Sequence, residues 1–199
     1  MDMLVVSGFL GSGKTTMILA TIGKYIETTK KKVVIIVNDF GKIGIDGAVM
    51  KKYGLNVQDM PSGCICCTLG SDFLETVNTV ASNFRPDLIL VEPTGIADPA
   101  NIVDTMKMYR GPKVDPIRIF VVVDAVRFPL ILRALTVPLK NQLNAADLIV
   151  INKIDESGPE AVQVVRTSLE ELGIRKRTIQ ISAATGENLD QVVQAMVGV

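Results

Sequence analysis

At 199 residues, with 21 basic and 21 acidic side chains, the chain is long enough for one α/β domain with a substantial core and carries no formal net charge. That balance gives no support to a nucleic-acid or anionic-membrane partner. Histidine and tryptophan are absent and aromatics are few, which excludes an imidazole base or ligand within the chain and argues against a base-stacking surface. In chain order, residues 3–7 read as a short buried strand. Residues 15–28 read as a helix, with Met17, Ile18, Ile22, Tyr25 and Ile26 at helical spacing. Residues 32–38 are a second strand, nearly all β-branched and apolar, of the kind covered on both faces of a parallel sheet. The glycine-bearing stretch 39–50 reads as a mobile loop, 55–58 as a weak strand and 71–84 as a helix. Residues 87–91 form a clear strand. Asp98-Pro99 reads as an N-cap with proline in the first turn of a helix reaching about Tyr109. Residues 117–123 form a strand ending at Asp124. Residues 125–145 carry helical pieces interrupted by Pro129 and Pro138. A strand follows over 148–151, then a helix over 159–172 with Gly173 at its C-cap. The last strand is 178–181 and the last helix 189–196.

This alternation predicts an α/β fold, doubly wound around a mostly parallel sheet, as a single domain over residues 1–199. Ligands of such a sheet lie at the carboxyl ends of its strands, where each motif below falls. The N-terminus runs into the first strand without a basic n-region or apolar h-region. The longest apolar runs, 33–37 and 119–123, are strand-sized. The expectation is a cytoplasmic protein with no membrane or nucleic-acid partner.

Gly8-Phe9-Leu10-Gly11-Ser12-Gly13-Lys14-Thr15 fits the phosphate-binding P-loop G-x-x-x-x-G-K-[ST], with strand before and helix after. Its glycines let backbone N–H groups close round an anion, and the helix N-terminus adds its positive dipole end. Lys14 supplies a point charge for the β- and γ-phosphates, and the Thr15 hydroxyl can ligate Mg²⁺. Glu92-Pro93-Thr94-Gly95 follows a strand expected beside the P-loop strand. Glu92 can hold Mg²⁺ directly or through water, and the Gly95 N–H can sense the γ-phosphate.

Asn152-Lys153-Ile154-Asp155 is N-K-x-D at a strand end. Asp155 can accept from the guanine N1–H and N2–H₂ together, whereas facing adenine it would be unpaired, so it selects GTP over ATP. Asn152 would tie this loop to the P-loop, and the Lys153 stem would lie across the base. Ser182-Ala183-Ala184 resembles the loop that offers backbone N–H to guanine O6. Asp39 falls where a first switch is expected and could orient the attacking water or help hold Mg²⁺; an exposed acidic turn residue is the equal alternative.

All three cysteines lie in Cys64-Ile65-Cys66-Cys67. Three thiolates in four residues suit Zn²⁺, Cu⁺ or Co²⁺ rather than Mg²⁺, and three protein ligands leave a position open for transfer. A redox dithiol and simple packing are the other readings of the cluster.

Gly8–Thr16, Asn38-Asp-Phe-Gly41 with Gly44-Ile-Asp46, Gly63-Cys-Ile-Cys-Cys67, Glu92-Pro-Thr-Gly-Ile-Ala-Asp-Pro99 and Asn152–Asp155 together resemble the CobW-type GTPases, relatives of the UreG and HypB metallocentre chaperones. The resemblance runs over about residues 3–198 with the motifs in family order. It implies a SIMIBI-like P-loop GTPase domain that binds GTP, Mg²⁺ and Zn²⁺ or Co²⁺, and hands the metal to a client metalloprotein or metallocofactor-pathway enzyme. It places Gly11, Ser12, Gly13, Lys14, Thr15 and Thr16 on the phosphates and Mg²⁺. Cys64, Cys66 and Cys67 would hold the transferred metal, Glu92 and Gly95 would form the second switch, and Asn152, Lys153 and Asp155 would read guanine. Lys14, Asp39 and Glu92 would serve hydrolysis, and a nucleotide-dependent homodimer is a further expectation. The chain departs from the pattern of many members in three ways: Val37 and Lys42 stand where they carry acidic residues, it has no His-rich stretch, and the second, C-terminal domain common in the family is expected to be absent, unless the sequence is a fragment. A GTP-dependent activator of a metalloenzyme, with structural or redox cysteines, is the alternative function. A P-loop ATPase or small-molecule kinase conflicts with Asp155.

Overall fold

The computed structural model describes residues 1–37, the backbone of 56–59, and 70–198. Within them the chain runs β1 (Asp2–Ser7), α1 (Lys14–Thr29), β2 (Val33–Val37), β3 (Asn56–Asp59), α2 (Gly70–Phe84), β4 (Leu88–Glu92) and α3 (Pro99–Met106). It continues through β5 (Ile117–Asp124), α4 (Phe128–Ala134), α5 (Thr136–Ala145), β6 (Leu148–Asn152), α6 (Ile154–Glu171), β7 (Arg177–Gln180) and α7 (Leu189–Val197). The seven described strands form one sheet in the order β3-β2-β4-β1-β5-β6-β7. Every neighbouring pair is parallel. β1 is therefore central, with β4 on one side and β5 on the other. The strand order reverses around it, and the P-loop leaves its carboxyl end.

The two faces of β1 separate the core into two layers. Met3 and Val5 pack toward α2 to α6, with Phe73, Ile102, Phe128 and Val165. Leu4 and Val6 pack toward α1 and α7, with Met17, Ile22, Tyr25 and Val192. All four β1 side chains are at most 1% exposed. Both faces being dry is why the strands read as unbroken apolar runs. Each such side chain contributes roughly 1.5–3 kcal/mol of burial.

Four expectations are adjusted. Pro129 and Pro138 do not interrupt helices; each lies in the first turn of its own helix, where the missing N–H has no intrahelical partner to lose. The break between α4 and α5 falls at Leu135, whose φ of −135° and ψ of 44° are not helical. The helix expected from Pro159 begins earlier, at Ile154, and a kink at Gly158 (φ 70°, ψ 173°) divides its first turn from the rest. α3 stops at Met106 rather than near Tyr109. Two caps stand as read. Asp98 accepts from Ala100 N at 3.0 Å. Gly173 (φ 72°) follows α6, with Gly173 N donating to Glu170 O and Ile174 N to Leu169 O, the paired bonds of a Schellman end. Asn38, the loop 39–50, Asp39 and Cys64, Cys66 and Cys67 lie outside the described residues. Among the described residues no helix is long and apolar enough to cross a membrane.

Candidate nucleotide-binding site

The loop between β1 and α1 bends through three glycines of positive φ: Gly8 (136°), Gly11 (75°) and Gly13 (93°). Space demands glycine there too. A Cβ on Gly8 would stand 2.1 Å from Val122 O, and one on Gly13 would stand 2.2 Å from Asn152 Nδ2. α1 starts at Lys14, and its N-cap, Gly13, supplies no side-chain bond. The first amides of a helix lack intrahelical acceptors, so these are free to gather an anion. Ser12 Oγ is buried in the same loop without a hydrogen-bond partner. Thr16, the third residue of α1, is exposed beside it. An orphaned hydroxyl, an uncapped helix start and a glycine cradle fit a phosphate group.

Lys14 is 7% exposed and folds back over the loop, Nζ donating to Gly8 O at 2.9 Å and Phe9 O at 3.4 Å. Burial lowers its pKa, with the Glu92 charge opposing. Glu92, at the end of β4, accepts from Thr15 Oγ1 at 2.7 Å. Burial raises the Glu92 carboxyl, and the Thr15 bond and the Lys14 charge pull it down without cancelling that. The pair joins a hydroxyl and a carboxylate at one point, the hard-oxygen set that Mg²⁺ takes. Gly95 packs on the P-loop so closely that a Cβ would stand 2.5 Å from Leu10 N.

At the other end of the site, Asn152 is 2% exposed and makes two bonds. Its Nδ2 donates to Ser12 O at 2.8 Å, and its Oδ1 accepts from Ala183 N at 3.0 Å. One amide therefore fastens the N-K-x-D turn, the P-loop and the loop after β7. Ala183 N is bonded to Asn152, and the exposed Ala184 stands next to it. Ser182 is fully buried and its Oγ accepts from Thr185 N at 3.0 Å, closing the same turn. Lys153 has φ 68° and ψ 38°. For a non-glycine residue that left-handed geometry costs about 1 kcal/mol and marks a constrained functional turn. Asp155 follows in the first turn of α6, exposed, with its carboxylate unpaired among the described residues.

Three residues of the site went unassigned in the sequence. Asp124 ends β5 with its side chain 0% exposed, 3.0 Å from Lys153 Nζ and 2.8 Å from Arg127 Nε. Burial pushes its carboxyl up, but the bonds from Lys153 and Arg127 outweigh this and hold it below the usual carboxylate range. Arg127 reaches on to the P-loop and donates to Leu10 O at 2.8 Å. Gln142, 1% exposed on α5, donates through Nε2 to Gly95 O at 3.1 Å and Ala97 O at 2.9 Å. The position of Asp124, at the carboxyl end of a strand next to the P-loop strand, was the available signal.

With this geometry in place, the chain matches the family described as "CobW/HypB/UreG, nucleotide-binding domain" over residues 2–180. The chain belongs to this family. Among its CobW/HypB/UreG relatives, the zinc chaperone YeiR of Escherichia coli (strain K12) is 36% identical over 168 residues, which are 81% of this chain and 49% of that protein. The zinc chaperone CobW of Sinorhizobium sp is 32% identical over 217 residues, 92% of this chain and 59% of that one. The chain thus spans about half the length of the curated relatives it matches. The crystal structure of the hydrogenase maturation factor HypB from Archaeoglobus fulgidus superposes with a TM-score of 0.70 at 20% identity, covering 99% of this chain and 89% of that one. The likeness is one of fold, the P-loop GTPase sheet with its helices on both faces.

Proposed function

We propose that this CobW/HypB/UreG domain is a cytoplasmic GTP-hydrolysing metallochaperone. It binds GTP with Mg²⁺ and uses hydrolysis to release a thiophilic ion, zinc or cobalt, to a client metalloprotein or metallocofactor-pathway enzyme. The observation that carries the nucleotide reading is the Asn152 crosslink, which sets a guanine-type turn 2.8 Å from the phosphate loop. The names of the YeiR and CobW relatives, both zinc chaperones, support the metal reading.

The residues divide the work by chemistry. The amides of residues 11–16 and Lys14 hold the phosphates. The Lys14 ammonium lies on the carbonyls of Gly8 and Phe9, and a phosphate oxygen is a stronger, charged acceptor than either. Thr15 and Glu92 would hold Mg²⁺, whose charge would offset that of the phosphate oxygens. Gln142 and the P-loop contact fix Gly95, so that its turn registers the end of the triphosphate. Asp155 reads guanine, with Lys153 beneath the base. Asp39 orients the water, Cys64, Cys66 and Cys67 hold the cargo ion, and two copies pair when nucleotide is bound.

Two measurements test this. Steady-state hydrolysis should favour GTP over ATP, and Asp155→Ala should erase the preference; a preference that survives would remove the guanine assignment. Zn²⁺ or Co²⁺ should bind stoichiometrically under reducing conditions, with an affinity that changes when a GTP analogue is added, and Cys66→Ser should abolish it. By linkage the metal must shift nucleotide affinity by the same factor. Metal binding unaffected by nucleotide in both directions would end the transfer reading.

A further inference from the structure

Asp124 stands between two loops that recognise opposite ends of a nucleotide. Its Oδ1 accepts from Val126 N at 2.9 Å and Arg127 N at 3.1 Å, and so fixes its own turn after β5. Its Oδ2 faces outward to two cations at once: Arg127 Nε at 2.8 Å and Lys153 Nζ at 3.0 Å. Arg127 Nη2 continues to Leu10 O, and a Cβ on Gly11 would stand 2.6 Å from the same nitrogen, so the guanidinium packs against the P-loop. Lys153 belongs to the N-K-x-D turn, whose backbone is tied to the same place by Ala125 N donating to Asn152 O at 3.0 Å.

A fully buried carboxylate is costly unless all its lone pairs are used, and here they are. A simple fold-stabilising role does not require that the two cations on one oxygen come from the two nucleotide loops. Arg127 is also not a buried core residue: its side chain is 42% exposed, at the rim of the P-loop.

We propose that Asp124 and Arg127 are positioning residues that couple base reading to phosphate binding: one carboxylate oxygen holds Lys153 under the base and, through Arg127, the P-loop carbonyl of Leu10. In this arrangement neither residue is assigned a contact with the base. The idea rests on the guanine assignment made above, and goes beyond it by naming what makes the two halves of the site act together. If Arg127 is lost, Asp124 is free to draw Lys153 toward itself alone, and the turn that aims Asp155 loses its register with the P-loop.

The test compares GDP with IDP, which lacks the exocyclic amino group that Asp155 would accept. With Mg²⁺ present, the dissociation constants of GDP, IDP and ADP are measured for the wild-type domain, Arg127→Gln and Asp124→Asn. The wild type should bind GDP about tenfold more tightly than IDP, the size of one hydrogen bond to a charged group. In Arg127→Gln that ratio should fall by threefold or more, although Arg127 lies on the phosphate side. Loss of mere structural support would weaken GDP and IDP equally and leave the ratio alone. A ratio unchanged in Arg127→Gln therefore overturns the coupling while leaving the guanine assignment intact. Equal affinities for GDP, IDP and ADP in the wild type would overturn the guanine assignment and the coupling with it. Asp124→Asn keeps the Oδ1 bonds and removes the charge, so where it folds its ratio should fall as well. The half-buried Arg127 carries the test if it does not fold.

Discussion

Asn152 Nδ2 donates to Ser12 O at 2.8 Å, joining residues 140 positions apart. The same side chain accepts from Ala183 N at 3.0 Å. Its amide supplies a donor and an acceptor on one rigid plane, which is what a three-loop junction needs. Replacing it leaves a buried carbonyl and a buried amide without partners.

Asn152→Ala should therefore destabilise the domain by about 2–4 kcal/mol, because two buried backbone groups are orphaned at once. Urea denaturation monitored by circular dichroism measures it. Guanine-nucleotide affinity should fall further than stability alone accounts for, since Asp155 and the P-loop lose their common reference. A loss below about 0.5 kcal/mol, the level of an ordinary surface change, would mean the junction is not held by this residue.

Gly95→Ala tests the contact between the turn after β4 and the P-loop. The added methyl would meet backbone at Leu10, with N at 2.5 Å and Cα at 3.1 Å, and backbone cannot rotate away as a side chain can. Overpacking of this kind costs about 1–3 kcal/mol. The larger effect should be on ligand: GTP and GDP affinity should each fall by about tenfold or more. Unchanged isotherms would show that the two loops move independently.

Gln142→Leu preserves volume and deletes the Nε2 donor to Gly95 O and Ala97 O. It also removes Gln142 Oε1, a buried oxygen without a partner, which offsets part of the loss. A net destabilisation of about 1 kcal/mol is expected. Amide hydrogen exchange at residues 95–97 should accelerate while β4 stays protected. Uniform acceleration across the sheet would point to general unfolding instead.

The parts of this site that were legible in the sequence are those whose chemistry is local. Gly8, Gly11 and Gly13 are read from backbone demands, and Lys14, Thr15, Asn152 and Asp155 from motif spacing and strand ends. The Asn152 tie to the P-loop was expected and is present. The sheet was legible because both its faces are dry, which leaves runs such as Val33–Val37 unbroken. Gln142 and Arg127 were not legible. Gln142 meets Gly95 across 47 positions and Arg127 meets Leu10 across 117, and no periodicity encodes such meetings. Pro129 and Pro138 were misread because proline breaks a helix interior but suits a first turn, and the sequence alone does not say which register applies.

Glu92 provides a prediction in pH. Burial raises its carboxyl, so the folded chain holds that proton more tightly than the unfolded chain. Its contribution favours the fold below the ordinary glutamate range and is lost as pH climbs through the raised value. Above the raised value an ionised Glu92 costs the fold stability, a cost that fits a carboxylate that would hold a cation with Thr15. Glu92→Gln removes that cost while keeping an oxygen for the Thr15 hydroxyl. It also removes the charge that favours the buried Lys14 ammonium, which trims the gain. The variant should be more stable than wild type at pH 7, seen as a higher melting temperature. The gap should close as pH falls toward about 4, where the wild-type carboxyl is protonated. Thermal melts of both proteins from pH 4 to 8 measure this. In the same variant Mg²⁺ should no longer strengthen GTP binding. A variant less stable than wild type at pH 7, with Mg²⁺ dependence intact, would show that the carboxylate is there for the fold and not for the ion.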